Sequence, residues 1–254
     1  RFAIIHGMIT PMKPIHMHGA LLVLMASLVL AGRAFSAGGG APKPTEPFKT
    51  VEIPFFDDAP KDATLFVFRN DLLKSVQARD VKAVLDVLDP TVLSGFDGEE
   101  GIDAFKSRWK LNEKPEASDL WKELGEALRL GGKINKGQNE TYFIAPYSYY
   151  ALPEEYDPID YGLVVGEGVN VRAKPEENAE VVQKVGRIIV RIYDEQNPKV
   201  AKIGDETFSW RKVGLPDGRA GFVWGKYVRS PNDYRVGFSN RSGQWKMIYF
   251  VAGD

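Results

Sequence analysis

The side chains that could carry out catalysis are mostly acids, and they fall in two clusters. The clusters are Asp97, Glu99 and Glu100 in GFDGEEG, and Glu154, Glu155 and Asp157 in LPEEYDP. A glycosidase needs two carboxylates in different environments, about 5 Å or about 6.5–9.5 Å apart. Adjacent acids in polar loops do not indicate that arrangement, because solvated loop charge is their ordinary role. We therefore expect no catalytic residue in either cluster.

Histidine and cysteine offer little more. The chain has no cysteine, and its histidines, His6, His16 and His18, all lie near the N-terminus. If that end is removed, cysteine nucleophiles, Ser–His triads, histidine bases and Cys/His zinc sites are all excluded. DGEEG lacks the alternating ligands of a calcium loop, and GEGVNV lacks the third glycine of a dinucleotide motif. We expect no metal and no other cofactor.

The charge balance argues against some partners. Arg1, Lys13 and Arg33 are the only charged residues among the first 37, and the rest of the chain holds 30 basic against 34 acidic residues. A mildly acidic chain has no electrostatic means of attracting nucleic acid or anionic lipid. We expect no nucleic-acid partner.

The N-terminal segment is typical of an export signal. Residues 19–32, GALLVLMASLVLAG, form an apolar run that is shorter than the roughly 20 residues that span a bilayer. Lys13 precedes the run and Ala34-Phe35-Ser36 fits a cleavage site, so residues 1–36 are predicted to be a signal peptide. An uncleaved anchor is the alternative. Residues 37–57, rich in Gly and Pro, are expected to form a flexible leader.

Residues 58–160 are predicted to be mainly helical. Asp58 can cap a first helix whose apolar stripe is Leu65, Phe68, Leu72 and Val76. Three further stripes follow: Val81, Val84, Leu85 and Leu88 after Asp80; Ile102, Phe105 and Trp109; and Trp121, Leu124 and Leu128 after Ser118. Pro90 is expected to end the helix that follows Asp80. TYFIAPYSYYA then predicts a strand and a tyrosine-rich connector. Its tyrosines either cover a junction between the two halves or form a platform for sugar or peptide, and the first interpretation is favoured.

From residue 161 the pattern changes to short alternating strands separated by turns, which is typical of a small barrel over residues 161–231. Gly186 is a candidate break within the long alternating run AEVVQKVGRIIVRIYDE. Residues 232–254 predict a hairpin that turns at Ser242-Gly243. Strict alternation would place Trp245, Met247, Tyr249 and Val251 on one face of its second strand. The expected fold class is α+β: a mainly helical N-terminal region, a small β-barrel and a C-terminal β-hairpin.

Two stretches of the barrel, GVNVRAKP…AEVVQKV and WRKVGLPDGRAGFVWGKYVR, resemble a bacterial Src-homology-3-like domain. The family commonly reads Leu-Asn-Val-Arg-x-x-Pro, later Trp-x-x-Val, a Gly-rich turn and Gly-(Phe/Tyr)-Val-x-x-x-Tyr-(Leu/Val). The matching residues are Val169, Asn170, Val171, Arg172, Pro175, Trp210, Val213, Gly218, Gly221, Phe222, Val223, Tyr227 and Val228. The resemblance covers roughly residues 162–230. A charged insertion, YDEQNPKVAKIGDETFS, departs from the family and puts its usual ligand cleft in doubt.

The resemblance implies an exported bacterial protein, periplasmic or secreted, that binds peptidoglycan or a peptide or protein partner without catalysis. The residues expected to shape the barrel are Asn170, Arg172, Pro175 and Gly221, with Arg172 donating to turn carbonyls or a nearby carboxylate. The residues expected to touch a ligand are Trp210, Trp224 and Tyr227, whose rings suit such contacts although they could also be core.

The N-terminal half has a resemblance of its own. The stretch from RNDLLKSVQ to DGEEG resembles the opening helices of nuclear-transport-factor-like α+β cones, and GQWKMIYFVAGD resembles their last strand. Residues 131–160 supply too few strands for such a sheet, so one arrangement returns the C-terminal hairpin to the N-terminal half with the barrel inserted between.

Two alternatives to a binding protein stay open. One is a carboxylate-dependent cell-wall hydrolase that the barrel targets. The other is a scaffold whose barrel packs on the N-terminal half and binds nothing, which a buried face for Trp210 and Trp224 would favour.

Overall fold

The chain is mostly β rather than mainly helical at its N-terminal end. The computed structural model describes residues 45–96, 98–137, 140–241 and 243–253, so the expected signal peptide lies outside the described residues. The described part has thirteen strands in two sheets and only five short α-helices, and it belongs to one compact unit. The expectation of a mainly helical N-terminal region is therefore wrong.

The elements have the following bounds. The α-helices are α1 (Ala63–Gln77), α2 (Val81–Asp86), α3 (Ile102–Arg108), α4 (Leu120–Arg129) and α5 (Ser148–Ala151). The strands are β1 (Leu88–Leu93), β2 (Lys133–Lys136), β3 (Thr141–Ala145), β4 (Tyr161–Val164), β5 (Val169–Arg172), β6 (Val181–Val185), β7 (Ile189–Tyr193), β8 (Val200–Ile203), β9 (Glu206–Gly214), β10 (Ala220–Trp224), β11 (Val228–Arg229), β12 (Arg235–Arg241) and β13 (Gln244–Val251). Within the described part, no helix combines the length and the apolar character needed to cross a bilayer.

The first four helices lie close to where the apolar stripes predict them. Asp62 rather than Asp58 caps α1, where its carboxylate accepts hydrogen bonds from the backbone N–H groups of Thr64 and Leu65 at 2.9 and 3.0 Å. The stripes of α1 and α4 share one core with side chains of a five-stranded sheet, such as Phe238. The helices were therefore recognisable, whereas the full sheet that they cover, with β1 at one edge and β2 at the other, was not.

The C-terminal hairpin occupies the middle of this five-stranded sheet, whose order is β1-β13-β12-β3-β2. Strand β12 pairs antiparallel with β3, and β13 pairs parallel with β1, with Leu88 opposite Met247. Leu88 was expected on the inner face of a helix that Pro90 would stop, yet both residues belong to β1. The chain therefore completes its first sheet only after building the second.

A bulge in the hairpin changes which side chains face the core. Gly237 is opposite Tyr249 and Phe238 is opposite Met247, so Ile248 has no direct partner. One extra residue reverses the alternation beyond it. Trp245, Met247 and Phe250 consequently lie in the core, whereas Tyr249 lies on the opposite face of the sheet. The expectation that Tyr249 shares a face with Trp245 and Met247 is therefore wrong.

The second sheet has eight strands in the order β11-β4-β7-β9-β10-β5-β6, with β8 paired to β9. A single valine-rich cluster fills its interior, with side chains such as Val164, Val171, Val185, Val213 and Val228. Since Val228 and Val185 come from the two ends of the strand path, the sheet must curl around this core.

A separate apolar cluster joins the two sheets. Its buried members are Ile53, Tyr147, Leu163, Val165 and Ile189, and Phe48, Val51, Phe56, Tyr156 and Tyr161 pack against them. Three of the connector tyrosines therefore lie at this junction.

Part of the expected flexible leader also lies at the junction. The N–H of Thr45 donates to the carbonyl of Gly218 at 2.7 Å, and the N–H of Ile53 donates to Arg187 at 2.9 Å. From Thr45 onward the leader is thus fixed along the eight-stranded sheet by backbone hydrogen bonds.

A half-buried carboxylate, Glu123 on α4, lies within the electrostatic influence of Arg229 on β11. Burial raises the pKa of Glu123, and the carboxylates of Asp233 and Asp119 add to that effect. Arg229 and Lys122 offset only part of it. The folded protein therefore holds the Glu123 proton to a higher pH than the unfolded chain does.

We predict that Gly237→Ala lowers the free energy of unfolding by about 1–3 kcal/mol, as overpacking does. A Cβ at Gly237 would lie 2.3 Å from Cε1 and Cζ of Tyr249, whereas one at Gly125 in α4 would lie 3.5 Å from Cγ1 of Val76, an ordinary contact. The matched control Gly125→Ala should raise stability by about 0.5–1 kcal/mol through helix propensity. Urea unfolding of both variants checks this, and a neutral Gly237→Ala would contradict it.

We also predict that Glu123→Gln flattens the pH dependence of stability. The pKa of Glu123 is raised in the folded state, so stability is lost as pH rises from its ordinary value of 4.5 through the raised one. The variant should gain stability relative to the wild type at about pH 7 and less, or none, at about pH 4. Urea unfolding at both pH values measures this, with the exposed Glu180→Gln as a control. The same difference from the wild type at both pH values would rule it out.

Candidate functional site

A cleft of about 290 Å³ opens on the eight-stranded sheet. The loop after β4 and strand β5 form one wall, and the middle of β9, the end of β10 and Tyr227 form the other. The lining residues are Gly166, Glu167, Gly168, Val169, Asn170, Arg172, Glu177, Ile203, Trp210, Trp224 and Tyr227. All three residues expected to touch a ligand therefore come together here, along with Asn170 and Arg172.

The aromatic wall follows from strand pairing. Trp210 on β9 is directly opposite Trp224 on β10, so both indoles lie on the same face of the sheet. The Trp224 ring centroid is 5.1 Å from that of Phe208 and 6.0 Å from that of Tyr227. Trp210 is 2% exposed, Trp224 is 6% exposed and Tyr227 is 37% exposed. Tyr227 thus offers the most accessible apolar surface of the three.

The two indole N–H groups differ in their hydrogen bonding. Nε1 of Trp224 donates to the carbonyl of Ala201 at 3.3 Å. Nε1 of Trp210 is buried and has no hydrogen-bond partner among the described residues. A buried donor without a partner costs about 1–3 kcal/mol. Trp210 thus lines the cleft with its ring while its own N–H is buried and unpaired among the described residues.

Arg172 both lines the cleft and holds the turn after β5. Its Nη1 donates to the carbonyl of Ala179 at 2.7 Å, which ties the end of β5 to the residues before β6. Pro175 lies in that turn and does not line the cleft. The turn around Pro175 thus continues the strand that carries Asn170 and Arg172.

Gly221 supports the same wall from the neighbouring strand. A Cβ there would lie 2.6 Å from Cγ1 of Val171 and 2.7 Å from the carbonyl oxygen of Arg172. Only glycine lets β10 approach β5 this closely, so Gly221 sets the position of the Arg172 backbone.

Sequence reasoning missed the rim of the cleft. Gly166 and Gly168 flank Glu167, which forms an ion pair with Arg187. Gly166 and Glu167 drew attention only as part of an incomplete dinucleotide motif, since a glycine carries no side-chain signal for a rim. Ile203 comes from the β8–β9 hairpin, inside the insertion that departs from the resembled family.

The acidic clusters lie elsewhere. Glu99, Glu100, Glu154, Glu155 and Asp157 are all exposed and do not line the cleft, and Asp97 lies outside the described residues. In the part of the chain that the structure describes, no group of three or more His, Cys, Asp or Glu residues could hold a metal ion.

Helix α4 covers the far side of the aromatic wall. Nζ of Lys122 lies 4.4 Å above the Phe208 ring, and Nη2 of Arg129 is 3.9 Å from Oε1 of Glu206. Glu206 also pairs with Lys226, beside Tyr227. The wall of the cleft is therefore attached to the five-stranded half of the molecule.

Comparison with protein-family models and with curated proteins finds nothing that matches this chain.

We predict that Arg172→Ala lowers the free energy of unfolding by about 1–2 kcal/mol, because it removes a charge-assisted hydrogen bond that holds the turn after β5. Arg211→Ala is the matched control, since Arg211 is a partly exposed arginine of the same sheet that does not line the cleft. Its effect should stay within about 0.5 kcal/mol. Urea unfolding distinguishes the two, and equal effects would contradict a structural role for Arg172.

Proposed function

We propose that this protein is a non-catalytic binding protein of the bacterial cell envelope, whose cleft holds a segment of peptidoglycan or of an extended peptide. The observation that carries the proposal is the convergence of Trp210, Trp224 and Tyr227 on one cleft beside Asn170 and Arg172. The sequence resemblance of residues 162–230 to bacterial Src-homology-3-like domains supports the same ligand classes.

The residues that line the cleft indicate the chemistry of its ligand. Aromatic rings favour an apolar or sugar-like body, and the exposed Tyr227 provides a surface for it. Asn170 and Arg172 bring side-chain N–H groups to the same lining, which favours a ligand with carbonyl or hydroxyl acceptors. Peptide and peptidoglycan segments both offer such acceptors at regular intervals along an extended backbone.

The lining also favours binding over hydrolysis. Its ionisable side chains are Glu167, Glu177, Arg172 and Tyr227. Both glutamates are exposed, and Glu167 is paired with Arg187. A hydrolase would place one carboxylate in a desolvated environment to raise its pKa, and exposed rim acids do not have such an environment.

A scaffold with an internally packed sheet is the second candidate. Trp210 and Trp224 are almost fully buried, and Lys122 of α4 covers the neighbouring Phe208 ring. In that case the aromatic wall would serve to hold the two halves together, and the cleft would bind no ligand.

Co-sedimentation with purified peptidoglycan sacculi tests the proposal. We expect the purified protein to pellet saturably and Tyr227→Ala to weaken its affinity about tenfold, or about 1.4 kcal/mol. Tyr227 is exposed, so its removal should leave the fold intact. Tyr193→Ala on β7 is the matched control, since Tyr193 belongs to the same sheet but does not line the cleft.

Three outcomes decide between the candidates. Pelleting that Tyr227→Ala weakens and Tyr193→Ala does not would support cell-wall binding at this cleft. Pelleting that neither substitution changes would show that the cell wall binds at another surface of the protein and not at the cleft. No pelleting at saturating protein concentration would exclude the cell wall and favour the scaffold.

A further inference from the structure

The five-stranded sheet carries an aromatic cluster on the face opposite its helices. Val236 and Phe238 of β12 point into the core that the helices cover, so the alternate residue Arg235 points to the other face. The Arg235 cluster consists of Arg235, Phe96, Tyr149, Tyr150 and Tyr249. It shares no residue with the cleft of the eight-stranded sheet, and the proposed function makes no use of it.

Arg235 is buried without an acidic partner. It is 8% exposed, and its Nη1 has no hydrogen-bond partner among the described residues. Its Cζ lies 5.0 Å from the ring centroid of Tyr149 and 5.5 Å from that of Phe96. Within the described ranges it takes part in no ion pair, whereas Arg229 and Arg241 both do.

This environment satisfies the charge only in part. The nearby rings attract the guanidinium through their π-systems, but they do not accept hydrogen bonds from the N–H groups at its planar edge. Those groups form a fork that matches the two oxygens of a carboxylate. Transfer of a charged side chain from water into the protein interior is strongly unfavourable unless the fold or a ligand supplies a partner of opposite charge.

The neighbouring phenols are donors rather than competing anions. The Tyr150 hydroxyl accepts a hydrogen bond from Nδ2 of Asn135 at 2.9 Å, which leaves its own proton to donate. Burial raises the pKa of Tyr150 to about 12 and raises the pKa of Tyr249 further. Both phenols are therefore neutral at physiological pH.

Two further features complete the cluster. The Tyr249 ring lies against Gly237, two residues after Arg235 on the same strand face. Nζ of Lys133 lies 5.2 Å from the centroid of the Tyr150 ring and adds a second positive charge. The cluster thus combines positive charge, neutral hydroxyl donors and aromatic surface.

We propose that the Arg235 cluster binds the carboxylate of a small organic acid with an apolar body. The guanidinium edge would receive the two carboxylate oxygens, and the flanking rings would contact the apolar body. Phe96 is 51% exposed and its ring centroid lies 5.5 Å from Cζ of Arg235, so we place the entrance for the ligand beside this ring. A phosphate ligand would be expected to meet several cations or backbone N–H groups, and aromatic rings occupy those places here.

Isothermal titration calorimetry with benzoate tests the proposal on the purified protein. We expect saturable benzoate binding that Arg235→Met weakens at least tenfold, since methionine keeps much of the apolar stem and removes the charge. Benzamide, which has the same shape without the charge, should bind at least tenfold more weakly than benzoate. Inorganic phosphate should not bind measurably.

Arg191→Met is the matched control. Arg191 is also stacked on two rings, with its Cζ 5.7 Å from the centroid of Phe48 and 5.6 Å from that of Tyr161. Its Nε, however, donates to the Tyr161 hydroxyl at 3.1 Å, so it is not without a partner. Its substitution should leave benzoate binding unchanged.

A second variant keeps the proposal testable in case Arg235→Met fails to fold. Phe96→Ala removes an exposed ring and should fold, and we expect it to weaken benzoate binding several-fold. If Arg235→Met fails to fold, this variant decides the question. The proposal would be overturned by benzoate binding that survives both substitutions, by phosphate binding in place of benzoate, or by no binding of benzoate up to about 10 mM.

Discussion

The pairing of β12 with β3 is the constraint on which the rest of the structure depends. All strands of the eight-stranded sheet lie between β3 and β12 along the chain, so this pairing completes the five-stranded sheet only after the other sheet has been built. Without β12 and β13 the helices α1 and α4 would have too little sheet to cover, since Phe238, Trp245 and Met247 supply much of the shared core. The same pairing fixes where the eight-stranded sheet begins and ends. That explains why a distinct apolar cluster, with Tyr147 and Ile189, fills the space between the sheets.

A single unpaired residue then determines the chemistry of the outer face. Because Ile248 bulges out of register, Phe250 turns into the core and Tyr249 turns away from it. Gly237 has no side chain to compete for the space that the Tyr249 ring occupies. A phenol therefore lies next to Arg235 on a face that a regular strand would have given to Phe250. Bulges of this kind commonly reorient side chains beside functional sites.

Features set by neighbouring residues in sequence could be predicted, whereas distant pairing could not be read from alternation, and the return of the C-terminal hairpin to the N-terminal half was considered only through a resemblance. The stripe of Leu65 and Leu72 identified α1, and Gly186 marked the break between β6 and β7, because both signals are local. Pro90 was taken as the end of a helix, yet it lies in β1 beside a strand that forms far later in the chain. Alternation indicates that a strand exists but not which strand it joins, and this is why the fold class was wrong. The residues of the cleft were foreseen through a resemblance in spacing. Its glycine rim and Ile203 were not, since the resemblance does not extend to the insertion and a glycine rim leaves no side-chain pattern.

Burial of Trp210 and Trp224 does not by itself separate a binding site from a scaffold. Both indoles are enclosed by their own sheet and still present an edge to the cleft. The more informative property is whether each buried donor has found an acceptor within the fold. Ala201 accepts the N–H of Trp224, as expected of a residue whose role is packing. The N–H of Trp210 and the Nη1 of Arg235 have no acceptor within the described ranges. Each unpaired donor destabilises the folded state, yet other buried N–H groups, such as Nε1 of Trp109 and Nε of Arg229, also have no acceptor there. Trp210 differs from these because it lines a cleft. Arg235 differs because its charge takes part in no ion pair among the described residues and lies close to two aromatic rings. These additional features, rather than an unpaired donor alone, favour recognition at both places.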